Sequence, residues 1–236
     1  MHINHFRHIF MPTSTKKEVR PRGRPRAYDS DQALADARDV FWRSGYAGTS
    51  LDQLSTATGM NRPSLYGAFG DKHALYLSTL ERYIEAGRLA MVHALSEDLP
   101  LPQALLRVYD GALAWYLPAD GDQLGCFMIG TATVEAVDDV EVRTALAEGL
   151  RTYDKAFEKR LKLAQAAGEL PADAQPPLLA KIASAILHSL ALRARAGDSR
   201  ASLRATAVAG VALICGSAGA SPAPATGKTT VKGRGR

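Results

Sequence analysis

Cysteine is nearly missing from this chain of 236 residues, which has only Cys126 and Cys215. Two thiols make no disulfide framework, so a small disulfide-stapled secreted domain is excluded and a reducing cytoplasm is the expected setting. Long apolar runs are absent as well. None approaches the roughly 20 residues that span a bilayer, and no membrane partner is expected. The basic N-terminus is not followed by an apolar core, so no secretory signal is expected. Strand patterning is lacking throughout, which argues against a sheet-based fold. There is no Gly-rich phosphate loop, HExxH, paired CxxC or nucleophile elbow. His188 and Asp198 have no evident nucleophile beside them. An enzyme is therefore not expected, nor a cofactor or a metal; His2, His5 and His8, spaced three apart, are read as part of a solvated leader.

What is present is ordinary soluble composition, 46% hydrophobic and 22% charged, with length enough for a sizeable core. The net charge of +5 hides a division along the chain. Residues 1–26 carry seven Lys or Arg against Glu18 alone, a net of +6. Residues 217–236 add four more basic residues, leaving the middle with 18 basic and 23 acidic residues, a net of −5. Basic ends on an acidic body are a pattern for touching polyanions.

The most informative stretch is Thr49 to Lys72. Ser50 has the character of a helix N-cap with Gln53 as its capping-box partner. Leu51, Leu54 and Ala57 recur at helical spacing. Gly59 ends that helix, since a residue without Cβ enters the left-handed region cheaply. Asn61 caps a second helix with Pro63 in its first turn. Leu65 and Phe69 face inward while Arg62, Ser64 and Tyr66 face out. A short second helix, polar outside and preceded by a Gly turn, is the design of a DNA-recognition helix.

The rest of the chain reads as helix after helix. Asp29 or Ser30 starts a first helix to about Ser44, with Leu34, Ala37, Val40 and Phe41 as its stripe and Trp42 and Tyr46 as packing residues. Asp71 caps a connector helix from Lys72 to about Ala94. After Leu99-Pro100-Leu101-Pro102 comes a helix reaching Leu117. Cys126 to Val137 is a short apolar helix, and Val140 to about Ala167 a long amphipathic one carrying Tyr153, Phe157 and Leu161. Leu178–Ala196 and Ser199–Cys215 form a final pair rich in Ala and Leu. Residues 1–28 and 217–236 lack apolar periodicity and are expected to be disordered.

The residues Gly48-Thr49-Ser50-Leu51, Leu54, Thr58-Gly59-Met60, Pro63-Ser64-Leu65-Tyr66, Phe69 and Asp71-Lys72 closely resemble the N-terminal domain of TetR/AcrR-family transcriptional regulators. The resemblance is strong from about Asp31 to Tyr83 and architectural beyond. It implies an all-α homodimer: a three-helix helix-turn-helix head (29–71), a connector (72–94) and a helical effector-binding and dimerisation domain (95–216). It also implies double-stranded operator DNA as partner and release by a small-molecule effector of unknown identity. The last two helices would form half of a four-helix dimer interface.

At the head, Arg62, Ser64 and Tyr66 match family positions that face DNA, with Pro63 between them. Arg62 is the expected base reader, because its planar fork pairs bidentately with guanine. Ser64 and Tyr66 suit phosphates, as do Thr49, Ser50 and Lys72 at helix starts. Gly67 and Ala68 stand where relatives often carry larger contact residues, so direct readout is expected to be thinner. Arg24 and Arg26, in Arg22-Gly23-Arg24-Pro25-Arg26, suit a narrow minor groove.

For the effector side, Tyr109, Trp115, Met128, Tyr153 and Phe157 are candidates to line an apolar pocket, and equally candidates for plain core. Cys126 follows Gly125 at an expected helix start, where a thiolate is favoured. A thiol-responsive regulator or an activator is therefore the alternative to an effector-released repressor. An architectural protein without sequence preference is the rival that the basic ends raise.

Overall fold

A computed structural model describes residues 29–96, 98–118 and 122–216. Every regular element among them is helical, as expected. The basic arm with Arg24 and Arg26, and the basic tail, lie outside the described residues.

Helix α1 (Ser30–Gly48) begins on Asp29, whose carboxylate accepts from the N–H groups of Asp31 and Gln32. Its straight part ends at Ser44, because Gly45 has φ 71° and ψ 171°, a conformation that suits glycine. One further turn follows, sealed where the Thr49 hydroxyl donates to the Gly45 carbonyl at 2.6 Å. Helix α2 (Leu51–Thr58) carries the full capping box: Gln53 N–H donates to Ser50 Oγ, and Ser50 N–H to Gln53 Oε1. Gly59, at φ 64°, turns the chain. Helix α3 (Arg62–Phe69) starts on Asn61, which accepts from Ser64 N–H at 2.9 Å. These three helices close over Ala37, Phe41, Leu54 and Leu65, all buried. Helix α4 (Lys72–Ala94), capped by Asp71, completes that core with Leu75 and Tyr76 and then runs on into the body.

The body is built on α5 (Leu101–Tyr116), α7 (Val140–Ala166), α8 (Pro176–Arg195) and α9 (Arg200–Ile214). Helix α7 packs on α4 and α8, and α9 on α8 and α5. Helix α8 starts two residues earlier than expected. Pro176 and Pro177 occupy its first turn, where a missing N–H costs nothing, so they open the helix. By length and composition alone α8 is apolar enough to cross a bilayer, more so than the sequence reading allows. Its face with Ala180, Ala183, Leu187, Leu190 and Ala194 is spent on this core instead.

The segment after Cys126 is not the plain helix expected. A π-helical turn, Met128–Ala132, runs into a single α-turn, Thr133–Glu135; the two together are α6 (128–135). The Thr131 hydroxyl donates to the Phe127 carbonyl at 2.8 Å and meets the Tyr76 hydroxyl at 2.8 Å. Burial pushes Tyr76 up to about 12, so it remains a donor.

Two features pin α5 and α7. The Glu169 carboxylate accepts the first N–H of α5, from Leu101. Its other oxygen pairs with Arg160 at 3.0 Å, whose side chain is only 4% exposed and also reaches the Leu99 carbonyl.

Candidate functional site

The outer face of the head comes from α3 and the start of α2. Arg62, Pro63, Ser64, Tyr66 and Gly67 are exposed, while Leu65 is buried and Phe69 half-buried beneath them. A Cβ on Gly67 would meet nothing within 4 Å, so this position offers no side chain to a groove where there is room for one. Arg62 is not idle in the free protein. Its Nη2 and Nε both donate to Oδ1 of Asp52, at 2.6 and 3.1 Å. One edge of the guanidinium is thus held by α2, and Nη1 extends the fork beyond it. Both partners are exposed, which makes this a weak pair by itself.

Two expected phosphate contacts change character. Thr49 is buried with its hydroxyl given to Gly45 and its N–H to Tyr46, so neither donor is available to a phosphate. That is a correction: Thr49 seals the corner between α1 and α2. Ser50 is exposed, and its Oγ acts as acceptor within the capping box, which leaves the hydroxyl proton to donate outward. The Lys72 ammonium lies 4.4 Å from the centroid of the Tyr46 ring. Partial burial lowers its pKa, with Glu135 opposing. It is steered by an aromatic face as well as by any anion.

The head is joined to the body by a cluster of rings. Trp42 of α1 meets Tyr83 of α4 edge-on at 5.3 Å and Phe127 at 5.9 Å. Its indole N–H donates to the Leu124 carbonyl at 3.1 Å. Arg43 pairs with Asp122 at 3.0 Å, and His73 Nε2 with Asp139 at 2.6 Å. Backbone N–H groups, Val142 first, together with His73 hold the Asp139 carboxyl below the usual carboxylate range. Trp42, which the sequence alone reads as simple packing, is a contact between head and body.

Behind Tyr83 lies a cavity of about 110 Å³ between α4, α5, α7 and α8. Its floor is Tyr83, Tyr116, Tyr153 and Cys126, and its mouth has Trp115 and Arg107. Of the expected pocket residues, Trp115, Cys126 and Tyr153 line it. Tyr109, Met128 and Phe157 do not: they are fully buried core, with the Tyr109 hydroxyl donating to the Ala183 carbonyl and its ring tilted against Phe157. Tyr83, Gly87 and Tyr116 were missed. A signal existed in α4, where Tyr83, Gly87, Ala90 and Ala94 follow at helical spacing, an aromatic succeeded by small residues on one face. Gly87 is required there, because a Cβ would run into the Tyr153 hydroxyl.

Cys126 also needs correction. It does sit at a helix start, and the N–H groups of Met128 and Ile129 do favour its thiolate. Burial outweighs them: the thiol is enclosed, accepts from the Tyr83 hydroxyl at 3.4 Å, and its pKa is raised. A raised thiol is the unreactive form.

Comparison with known proteins agrees with this geometry. The N-terminal model "Bacterial regulatory proteins, tetR family" matches residues 33–79, and "Tetracyclin repressor-like, C-terminal domain" matches 102–209. The chain is 33% identical over 189 residues to the HTH-type transcriptional repressor ComR of Escherichia coli K12, covering 79% of this chain and 89% of that one. It is 28% identical over 204 residues to the repressor BdcR of the same organism, covering 84% and 96%. Among solved structures, the TetR-family regulator CifR in complex with 26-bp operator DNA superposes with a TM-score of 0.69 at 30% identity, covering 80% of this chain and 98% of that one. This chain belongs to the TetR family of bacterial regulatory proteins and is a DNA-binding transcriptional regulator.

Proposed function

We propose that the protein is a cytoplasmic repressor that binds its operator as a homodimer and is released by a small molecule held behind Tyr83. The observation that carries this reading is the exposed α3 face, with Arg62, Ser64 and Tyr66 on a rigidly capped helix-turn-helix. Arg62 reads a base, its fork extending past the edge that Asp52 holds. Ser50, Ser64, Tyr66 and Lys72 meet phosphates, and Arg24 and Arg26 follow the minor groove. Residues 29–71 are the DNA-binding unit, 72–94 the connector and 95–216 the effector-binding and dimerisation unit.

A second copy is the partner that α8 and α9 suit. Leu178, Ile182, Ala185 and Leu192 are exposed along one line of α8, and Ala201, Ala205 and Val208 along one line of α9. Two such pairs would bury both stripes in a four-helix interface. The two relatives above are named as repressors, which favours repression over activation. Regulation here means binding without turnover: the effector acts through different affinity for the two DNA states, transmitted through Tyr83 to Trp42.

The test is binding of the purified protein to the DNA flanking its own gene, at fixed near-physiological salt, against scrambled duplex. A preference of roughly a thousandfold or more supports a specific regulator. Equal binding to both duplexes removes autoregulation at that site and raises the architectural alternative. The thiol-responsive alternative is tested by alkylation: although Cys126 lines the cavity, it is expected to react with iodoacetamide far more slowly than an exposed thiol, because burial keeps it protonated. Rapid native labelling of Cys126 with loss of operator binding would restore that alternative.

A further inference from the structure

We propose that the cavity behind Tyr83 selects an uncharged short-chain molecule with one hydrogen-bond acceptor, such as a ketone or alcohol no larger than benzene, and rejects carboxylates. This rests on reading the cavity as the effector site, and it adds the ligand's chemistry.

Size comes first. An enclosed apolar cavity of roughly 150 Å³ takes benzene; this one, at about 110 Å³, takes less without rearrangement. Gly111 is exposed at the cavity lining and a Cβ there would meet nothing within 4 Å, so packing does not require this glycine and a larger side chain could extend over the cavity.

Charge comes second. Among the described residues, Arg107 is the one charged side chain that lines the cavity. It sits at the mouth and is already engaged: Nη1 donates to Ser96 Oγ at 3.2 Å, and Nη2 lies 3.7 Å from Asp98, which accepts from that same Ser96 hydroxyl. The floor offers no cation. A carboxylate pushed into it would lose its hydration with no charge to meet, which is costly.

A neutral oxygen has partners at the floor. Burial holds the Tyr83, Tyr116 and Tyr153 hydroxyls far above the usual phenol range, so all three stay protonated and can donate. The Tyr83 hydroxyl donates to Cys126 Sγ, a weak acceptor. A ketone oxygen is a better one, and the Tyr83 hydroxyl that would meet it belongs to the ring that packs edge-to-face with Trp42. The floor that binds the ligand is therefore the surface that contacts the head.

Three probes of one shape isolate these factors: 2-butanone, propanoate and 2-methyl-1-butene, with five non-hydrogen atoms each. The full chain is titrated with each and followed by intrinsic fluorescence, since Trp115 at the mouth and Trp42 behind the floor are its two tryptophans. Butanone is expected to bind about tenfold or more tightly than propanoate, the cost of one unpaired charge on an apolar surface. Tyr83→Phe, Tyr116→Phe and Tyr153→Phe together should reduce butanone to the level of the alkene. Gly111→Val should abolish binding of all three while leaving the thermal transition in place. Propanoate binding as well as butanone, with Arg107→Ala removing it, overturns the proposal, as does absence of butanone binding at tens of millimolar. Butanone that binds without changing operator affinity would leave the ligand class standing and sink the effector reading instead.

Discussion

The head and the body of this protein are held together by different kinds of interaction. In the head, structure is fixed over three or four residues at a time. Ser50 and Gln53 cap each other, Asn61 holds Ser64, Asp71 holds Ala74, and Gly59 makes the turn. Within the body, and where the head and connector meet it, the decisive contacts join residues far apart. Trp42 bonds to Leu124 across 82 positions, Tyr83 to Cys126 across 43, and Leu101 to Glu169 across 68. Local rules give a rigid reading surface that tolerates the loss of its outward side chains. Distant contacts give a unit whose cavity and interfaces respond together, as a regulatory domain requires.

If that contrast is right, the two regions should break differently. The largest effect is expected in the body. Glu169→Ala removes the acceptor for the Leu101 N–H and strands buried Arg160, and should cost about 2–3 kcal/mol in denaturant unfolding, somewhat under the range for fully buried pairs because Glu169 keeps partial solvent contact. Operator preference of the remaining folded protein should not change. Arg62→Ala is the converse. It should lower discrimination between operator and scrambled DNA by about 1–3 kcal/mol, the worth of one bidentate base contact, with the melting temperature held. Asn61→Ala falls between them, at about 1 kcal/mol of stability for a lost N-cap, with operator affinity weakened because α3 frays.

The smallest effect concerns pH. His188 of α8 has both ring nitrogens buried without a protein partner, and burial lowers its pKa, opposed by Asp154. A base whose folded pKa lies below its unfolded value stabilises fully above that unfolded value, near 6.5, and less as pH falls through the window beneath it. Thermal stability should therefore begin to decline below about pH 6.5, earlier than carboxylate titration explains, and His188→Leu should flatten that decline. Asp139 and Glu169, both held below the usual carboxylate range, contribute stability that is lost only on further acidification, below about pH 4.

The same contrast explains what the sequence made legible. Every cap and turn of the head is a short-range pattern, so Asp29, Ser50, Gly59, Asn61 and Asp71 could be read in advance along with the outward face of α3. Thr49 shows the limit even there, because whether a hydroxyl faces phosphate or its own chain depends on the kink at Gly45. In the body, helix positions were legible but partners were not. Tyr109, Met128 and Phe157 look no different along the chain from Trp115 and Tyr153, and only the packing of α5 and α6 on α7, and of α5 on α8, turns the first group into core. Cys126 combines both lessons: its place at a helix start is local and was legible, whereas the burial that overrides it is assembled from α4, α5 and α7.

The most direct test of the central claim is selection of duplexes from a random pool by the full-length protein, repeated with Arg62→Ala. The expected result is enrichment of an inverted repeat whose half-sites lie whole helical turns apart, with one base pair in each half-site relaxed by the substitution. Enrichment of no motif, or of composition alone with Arg62→Ala indistinguishable from the parent, would contradict it.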